Sequence, residues 1–539
     1  MSANKPKITP MMAQYFSIKK NYTDTLLFYR MGDFYELFFE DAIKASEALN
    51  IILTSRGKHL EQKIPMCGVP VHSANNYLLS LIKKGFKVAV CEQLEDPLEA
   101  KKRGYKAIVK RDVVRVITPG TLTEDSLLEA HENNFLGSLS EIRGSLALAW
   151  VDISTGDFIV TSCNKQNLKT LILRLNLKEL LVSDNLKGEF SDEFNDFNIS
   201  LTPISNAIFE STGAKKQICG FYGVKTLEGF GAFSRTELSA INSIISYLEL
   251  TQKSTLPILK RPLKEVSTNA LQIDSFTRKN LEIIRSLSGE KDGSLLDTID
   301  KTITACGARL LTSRLNNPSS NKTIIIDRLN DLEFFYKKNK DRINLQSELK
   351  NILDIERALT RISLNRSNPR DIKAVGNSLQ NCDKVYYYLN SIKPPHTLSF
   401  DIKPLAGHKV LIKTIEDALR EDLSNNFKDG GFVKTGYNDE LDKQRNLRDK
   451  GAKLLGSMQQ ELITLSEVSS LKIKHNNVLG YFIEIPTRHS QKLLSPPLSD
   501  VFIHRQTTAN SIRFTTTELG NAESNILNAT SAALNIELD

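Results

Sequence analysis

Of 539 residues only six are cysteine and one is tryptophan. Cys67, Cys91, Cys163, Cys219, Cys306 and Cys382 are scattered and include no Cys-x-x-Cys pair, which excludes zinc-ribbon spacing and offers no disulfide framework. A reducing, cytoplasmic setting is expected. Long apolar runs are also missing. The longest, Leu146 to Val151, falls far short of the ~20 residues of a membrane span, and the N-terminal region has no apolar stretch of signal-peptide length. Neither a membrane protein nor a secreted one is expected. Several enzyme motifs are absent too. Gly57-Lys58 lacks the preceding glycine of a P-loop. His131-Glu132-Asn133-Asn134-Phe135 has Phe where a zinc peptidase needs its second His, and no Gly-x-Ser-x-Gly elbow occurs.

What is present is a globular composition: 40% hydrophobic residues, 25% charged, mean hydropathy -0.26. At roughly 150 residues per domain, about three or four domains are expected. The net charge of +8 is local: residues 1–120 hold 19 Lys+Arg against 12 Asp+Glu, so +7 of it lies there. Lys83, Lys84, Lys87 and the run Lys101, Lys102, Arg103, Lys106, Lys110, Arg111, Arg115 supply much of the excess. Such a run can oppose a polyanion such as nucleic acid, although a solvated lysine-rich face explains it equally well. A weaker excess lies in residues 451–515, where seven basic residues face four acidic ones. Two basic regions far apart suggest two grips on one long ligand.

Periodicity divides the chain. In the first segment Ser73 suits an N-cap, Tyr77, Leu78, Leu81 and Ile82 repeat at helical spacing, and Gly85 suits a C-terminal stop before the strand-like Lys87 to Cys91. This predicts a small mixed α/β domain ending near Pro119-Gly120. Next, Leu146 to Val151 and Phe158 to Thr161 predict a hairpin around a polar loop, with Trp150 in the core. Asn167 to Leu175 then reads as helix and Glu179 to Ser183 as strand. After about residue 270 helices dominate. One is predicted over Ile325 to Arg342, with Leu329, Leu332, Phe335 and Tyr336 on a stripe. Another is predicted over Glu348 to Ser363, with Ile352, Ile355, Leu359 and Ile362. From Asn438 to Ile463 a helix leads to short alternating segments at Leu471 to Lys474 and Tyr481 to Ile485. A mildly helical tail begins at Thr515, weakened by Gly520.

The stretch Leu26-Leu27-Phe28-Tyr29-Arg30-Met31-Gly32-Asp33-Phe34-Tyr35-Glu36-Leu37-Phe38-Phe39 runs from strand-like residues through a turn pair into an aromatic cluster that contains one carboxylate. Phe28, Leu37 and Phe38 are expected in the core. The segment resembles the mismatch-binding motif of the MutS family of DNA mismatch repair proteins, whose Phe-x-Glu triplet corresponds to Phe34-Tyr35-Glu36. The likeness continues in order. Thr54-Ser55-Arg56-Gly57, Ile64 to Pro70 and Arg115 to Thr121 resemble the rest of the mismatch-binding domain. Asp274 with Thr277 to Glu282, Gly293 to Leu296 and Gly307 to Leu311 resemble the core domain. Gly436 to Asp442, Gly480 to Glu484 and Arg505 to Asn510 resemble the clamp. Departures are Arg314 in place of the usual Trp, Thr508 for Leu, Ile512 for Glu, and Gly520 within the returning lever.

The resemblance implies a multidomain α/β plus α architecture. A small mixed α/β mismatch-binding domain spans residues 1–121 and an RNase H-like α/β connector 125–250. Core and lever helices span 265–435, a β-rich clamp inserted in the levers 436–515, and the start of the returning lever 516–539. It implies binding of mismatched or looped duplex DNA by insertion of a Phe wedge that kinks the duplex, with Phe34 as wedge and Glu36 beside it. Arg56, Lys101, Lys102, Arg103, Arg111 and Arg115 would contact the DNA backbone, and Lys472, Lys474, Asn476, Arg505 and Asn510 would be clamp contacts. Expected partners are duplex DNA, a second copy in a homodimer and a MutL-type repair protein, at the nucleoid and away from membranes. No P-loop lies within these residues, so no catalysis and no cofactor are expected of them; ATP and Mg belong to the family's ATPase domain, which in the family follows the levers. Two other readings stand beside this one. Asp152 and Asp157 beside a hairpin are where an RNase H-like metal-dependent nuclease would hold its ions, although Asp and Gly also simply form turns. The other is a junction-binding, non-repair relative, a class that generally lacks the Phe-x-Glu wedge.

Overall fold

Gly32-Asp33 joins β1 (Leu26–Met31) to β2 (Phe34–Phe38) as a two-residue hairpin loop that Met31 and Phe34 close as a pair. Gly32 sits at φ +61°, a conformation that suits the strand twist at this loop position and that glycine adopts without a Cβ penalty. The computed structural model describes residues 9–59, 62–95, 100, 102–104, 107–188, 199–253, 255–265, 270–423, 427, 430–476 and 479–539. They form two compact units, residues 1–367 with 377–408, and residues 368–376 with 409–539.

In the first unit the hairpin lies inside a six-stranded sheet. It also contains β3 (Thr54–His59), β4 (Gln62–Pro70), β5 (Val88–Gln93) and β6 (Arg111–Ile117), in the order β3-β4-β2-β1-β5-β6. Alternation splits its strands between two cores. Leu27, Tyr29 and Phe38 pack under Met12, Tyr15 and Ile18 of α1 (Pro10–Lys19). Phe28, Tyr35 and Leu37 pack under α2 (Phe39–Leu49) and α3 (Ala74–Lys83). Burying an aromatic ring such as Phe38 stabilises the fold by about 1.5–3 kcal/mol, so this hairpin is anchored from both faces. Helix α3 starts after Ser73 as expected, but the Ser73 hydroxyl bonds back to the Pro70 carbonyl and caps no helical N–H.

The next sheet has the order β11-β10-β7-β8-β9-β12. Its strands are β7 (Phe135–Ile142), β8 (Ser145–Asp152), β9 (Asp157–Cys163), β10 (Glu179–Ser183), β11 (Ser200–Ile204) and β12 (Leu263–Lys264). Leu146, Leu148 and Trp150 face α4 (Lys165–Leu175), and Ala147, Ala149 and Val151 face α6 (Arg235–Gln252), with α5 (Ser211–Tyr222) packed on α6. Trp150 is buried as predicted. The two sheets meet at Glu179, which is fully buried. It accepts from Thr118 Oγ1, Gly120 N at 3.0 Å, Thr202 Oγ1 and Tyr247 OH at 2.8 Å.

Two of the helices predicted beyond residue 270 are broken. The stripe over Ile325 to Arg342 is divided between helices Lys322–Lys337 and Asn339–Leu349, because Lys338 leaves helical geometry and its Nζ reaches the Ile392 carbonyl at 2.7 Å. Leu329, Leu332 and Tyr336 are exposed rather than buried, and only Phe335 of that set joins a core. The predicted helix Glu348 to Ser363 also breaks. Asp354 accepts from the Arg357 N–H as the N-cap of Ile355–Ser363, which leaves Ile352 in a loop and Leu359 exposed. Arginines of this region grip the segment between the two sheets. Arg309 donates to Ala130 O (3.1 Å), Arg357 to Glu129 O (3.0 Å) and Glu132 O (2.7 Å), and Arg366 to Thr123 Oγ1 (3.1 Å).

In the second unit the helices Asp439–Ser466 and Thr517–Leu538 pack along one another, close enough at Gly451 that an added Cβ would collide with Ile526 Cγ1. Gly520 does not interrupt its helix. The chain between them forms a four-stranded antiparallel sheet, β13 (Lys472–Asn476), β14 (Gly480–Pro486), β15 (Ile503–Thr507) and β16 (Ser511–Thr515), in the order β13-β14-β16-β15. Ile483, Ile485, Ile512 and Phe514 face Leu455, Met458 and Leu462. The departures at 508 and 512 are thus accommodated: Ile512 is buried opposite Ile485, and Thr508 Oγ1 donates to the Ser511 carbonyl to close the β15–β16 turn.

Candidate nucleic-acid interface

In β2 the side chains of Phe34, Glu36 and Phe38 share one face, while Tyr35 and Leu37 point to the other. Phe28, Tyr29, Tyr35, Leu37 and Phe38 are all buried, as expected for Phe28, Leu37 and Phe38, whereas Phe34 at the hairpin end is 48% exposed. A single exposed apolar side chain is ordinary on a protein surface; what marks Phe34 is its place at the tip of a hairpin whose other aromatic rings are all buried. The support beneath it is stiff. Tyr35 OH bonds the Glu92 carboxylate, and Arg30 lies over the Tyr35 ring at 5.5 Å while its guanidinium approaches Glu92 at 3.4 Å. Burial, helped by Glu92, pushes the Tyr35 phenol up to about 12, which keeps it a donor.

Glu36 sits two residues along the same face, opposite Gly68, which has no side chain to cover it. Its carboxylate is held by Arg56, whose Nη1 donates to Oε1 at 2.6 Å and also to Oε2. Arg56 and Gly57 occupy an irregular step in β3, where Ser55 pairs with Pro65 but Lys58 with Lys63, and Gly57 has φ +69°. One extra residue in a strand bends it and re-aims the side chain there. Arg56, expected at a phosphate, therefore meets Glu36.

The basic run at 101–115 behaves less uniformly than its charge implies. Lys101 lies outside the described residues, and Lys102 is exposed. Arg103 pairs with Glu95 and donates to the Ile108 carbonyl at 3.2 Å. Arg111 donates to the carbonyls of Arg30 (2.7 Å) and Val109 (3.0 Å) and lies over the Tyr29 ring. Arg115 is mostly buried and pairs with Glu124. Each of these three arginines has at least one donor engaged within the protein. Counting charge missed this, although Glu95 and Glu124 lie within ten residues of their partners.

On the outer face of the four-stranded sheet Lys472, Lys474 and Asn476 alternate along the edge strand β13, beside Phe482 and Glu484 of β14. Lys474 Nζ bonds Glu484 at 2.6 Å, and Arg513 joins at 3.3 Å while covering the Phe482 ring at 4.6 Å. Lys474 first, with Arg513, holds the Glu484 carboxyl below the usual carboxylate range. Arg505 and Asn510 are exposed on β15 and its turn. Arg513 is one of the seven basic residues of 451–515 but not one of the expected contacts, because its place on this face depends on the strand register.

Asp152 and Asp157 are engaged elsewhere. Asp152 is fully buried. Its oxygens accept from Asn133 Nδ2 (2.9 Å), Asn134 N (3.1 Å), Ser154 N (3.0 Å) and Ser154 Oγ (2.6 Å), and Asp157 pairs with Lys260 at 2.8 Å. Their geometry is that of a stabilised turn.

Family models place MutS domain I at residues 9–126, MutS domain II at 134–260 and MutS domain III at 276–533. The chain is 50% identical over 531 residues to the DNA mismatch repair protein MutS of Ruegeria pomeroyi and 50% identical over 530 residues to that of Roseobacter denitrificans. It is 49% identical over 530 residues to that of Cereibacter sphaeroides. Each match covers 98% of this chain and 60% of the relative, so the chain spans about 60% of the length of these curated proteins. Among the described residues no helix is long and apolar enough to cross a membrane.

Proposed function

The chain belongs to the MutS family of DNA mismatch repair proteins, and from that premise we propose that it binds duplex DNA at mispairs and small loops by inserting Phe34 between base steps. The observation that carries this reading is the half-exposed Phe34 ring on a hairpin whose other aromatic residues are buried. An apolar wedge entering from the minor groove partly unstacks a base step and kinks the duplex. Stacking on an aromatic ring is worth ~1–3 kcal/mol per base, against ~1–6 kcal/mol to bend a site smoothly. These terms nearly cancel, so selectivity comes from the DNA: a mispaired base is already poorly stacked and costs less to deform. The test is a titration of the chain with a duplex bearing one G·T pair and with its matched counterpart. Tighter binding of the G·T duplex is expected; equal affinity would overturn the reading.

The clamp face supplies affinity without selectivity, since phosphate contacts carry no sequence information. Replacing Lys472 and Lys474 together by glutamine is expected to weaken both duplexes by the same factor. It should also lower the salt slope by up to about 0.9 for each phosphate left without its lysine. A change in the ratio of the two affinities would assign these lysines a different role. A homodimer and a MutL-type partner belong to the same proposal, on the strength of the family resemblance.

A further inference from the structure

We propose that Arg56 is a specificity switch for the wedge: it neutralises Glu36 in the DNA-free chain and transfers to a backbone phosphate only where a mispaired base offers Glu36 an N–H in exchange. This rests on reading Phe34 and Glu36 as the mismatch probe. Glu36 is mostly shielded, with its side chain 14% exposed and both oxygens on one guanidinium, whereas the Arg56 side chain is 45% exposed. The guanidinium can therefore leave into solvent while the carboxylate stays in place. A Cβ added at Gly57, which has φ +69° in the irregular step of β3, would meet no heavy atom within 4 Å, so the strand is uncovered on that side next to Arg56. The pair is open to solvent on the arginine side, and a phosphate, which arginine can grip through two parallel N–H bonds, competes with Glu36 for the guanidinium.

The exchange has opposite signs on the two kinds of DNA. The minor groove of matched duplex presents mainly acceptors, the adenine N3 and thymine O2 atoms, with the guanine amino group as the one donor. A bare carboxylate is repelled there, so on matched DNA Arg56 stays with Glu36 and makes no bond to phosphate. At a mispair the loosened base can turn a ring N–H toward Glu36, which no longer needs the guanidinium. Arg56 is then released to a phosphate. Hydrogen bonds and charges balance: one pair within the protein is replaced by one bond to base and one to backbone. Selectivity thus includes a phosphate contact made only at mispairs.

The salt dependence of binding reads this contact directly, because log K falls by about 0.9 per decade of salt for each phosphate neutralised on B-form DNA. The experiment uses the 539-residue chain, the variants Arg56→Gln, Arg56→Lys, Glu36→Gln and the Glu36→Gln/Arg56→Gln double variant, and G·T and matched duplexes over a range of KCl. In the parent, the slope on G·T DNA should be steeper than on matched DNA by about 0.9. Arg56→Gln should make the two slopes equal and Arg56→Lys should keep them apart. Glu36→Gln should tighten matched binding and steepen its slope by about 0.9, and the double variant should show neither effect. Parallel slopes in the parent, or a double variant that keeps the steepening seen in Glu36→Gln, would overturn the switch while leaving the wedge intact. A parent chain that does not prefer the G·T duplex would overturn the proposed function and the switch together.

Discussion

Phe34→Ala is expected to bind a G·T duplex and its matched counterpart with the same affinity. Removing the ring deletes a stacking contribution of ~1–3 kcal/mol together with the smaller cost of kinking a mispair, so affinity for the G·T duplex should fall by at most about 100-fold. Matched binding, which does not use the wedge, should be unchanged. The variant should fold normally. Phe34 is 48% exposed, and the strand is held by Tyr35, Leu37 and Phe38, none of which depends on the ring. Competitive titration of labelled G·T duplex against both unlabelled duplexes measures the ratio, and a Phe34→Ala chain that keeps the parental preference would remove Phe34 from the mechanism.

The second large effect is expected far from the wedge, at Glu179. Its fully buried carboxylate gathers Thr118 Oγ1, Gly120 N, Thr202 Oγ1 and Tyr247 OH, and Lys87 Nζ lies 3.7 Å away. Burial, with Glu179 beside it, raises the Tyr247 phenol well above its ordinary value, so this hydroxyl remains a donor seeking an acceptor. Glu179→Ala strands these donors at once where the first sheet meets the second. The destabilisation should be about 3–5 kcal/mol, since an unsatisfied buried polar group alone costs roughly 1–3 kcal/mol and a broken buried ion pair about 3–5 kcal/mol. Urea unfolding followed by tryptophan fluorescence reports it, because the single tryptophan, Trp150, lies in the second sheet. Glu179→Gln, which keeps an acceptor oxygen, should be less destabilised. A Glu179→Ala chain as stable as the parent would mean that water enters and satisfies the site.

Local signals in the sequence were most legible where a single residue has only one good conformation or where a period is short. The Gly32-Asp33 turn, the hairpin around residues 152–157 and the strand Glu179–Ser183 are of this kind, and their residues bury on alternate faces as the pattern requires. Helical periodicity beyond residue 320 was a weaker guide. The spacing of Leu329, Leu332 and Tyr336 marks a stripe but not what covers it, and a single cap at Asp354 or a tertiary bond from Lys338 was enough to break a helix. The candidate site divides in the same way. Phe34 and Glu36 were found through their motif. The pairing of Glu36 with Arg56 depends on a one-residue bulge opposite β4, and the internal engagement of Arg103, Arg111 and Arg115 depends on partners brought close by folding. Net charge cannot distinguish a cation facing solvent from one already paired.

The kink itself is the most direct test. Dyes at the two ends of a short duplex report its end-to-end distance by energy transfer. With the G·T duplex, addition of the 539-residue chain should shorten that distance, with the matched duplex it should not, and with Phe34→Ala neither duplex should bend. Equal bending by the parent and by Phe34→Ala would contradict insertion of Phe34 as the cause.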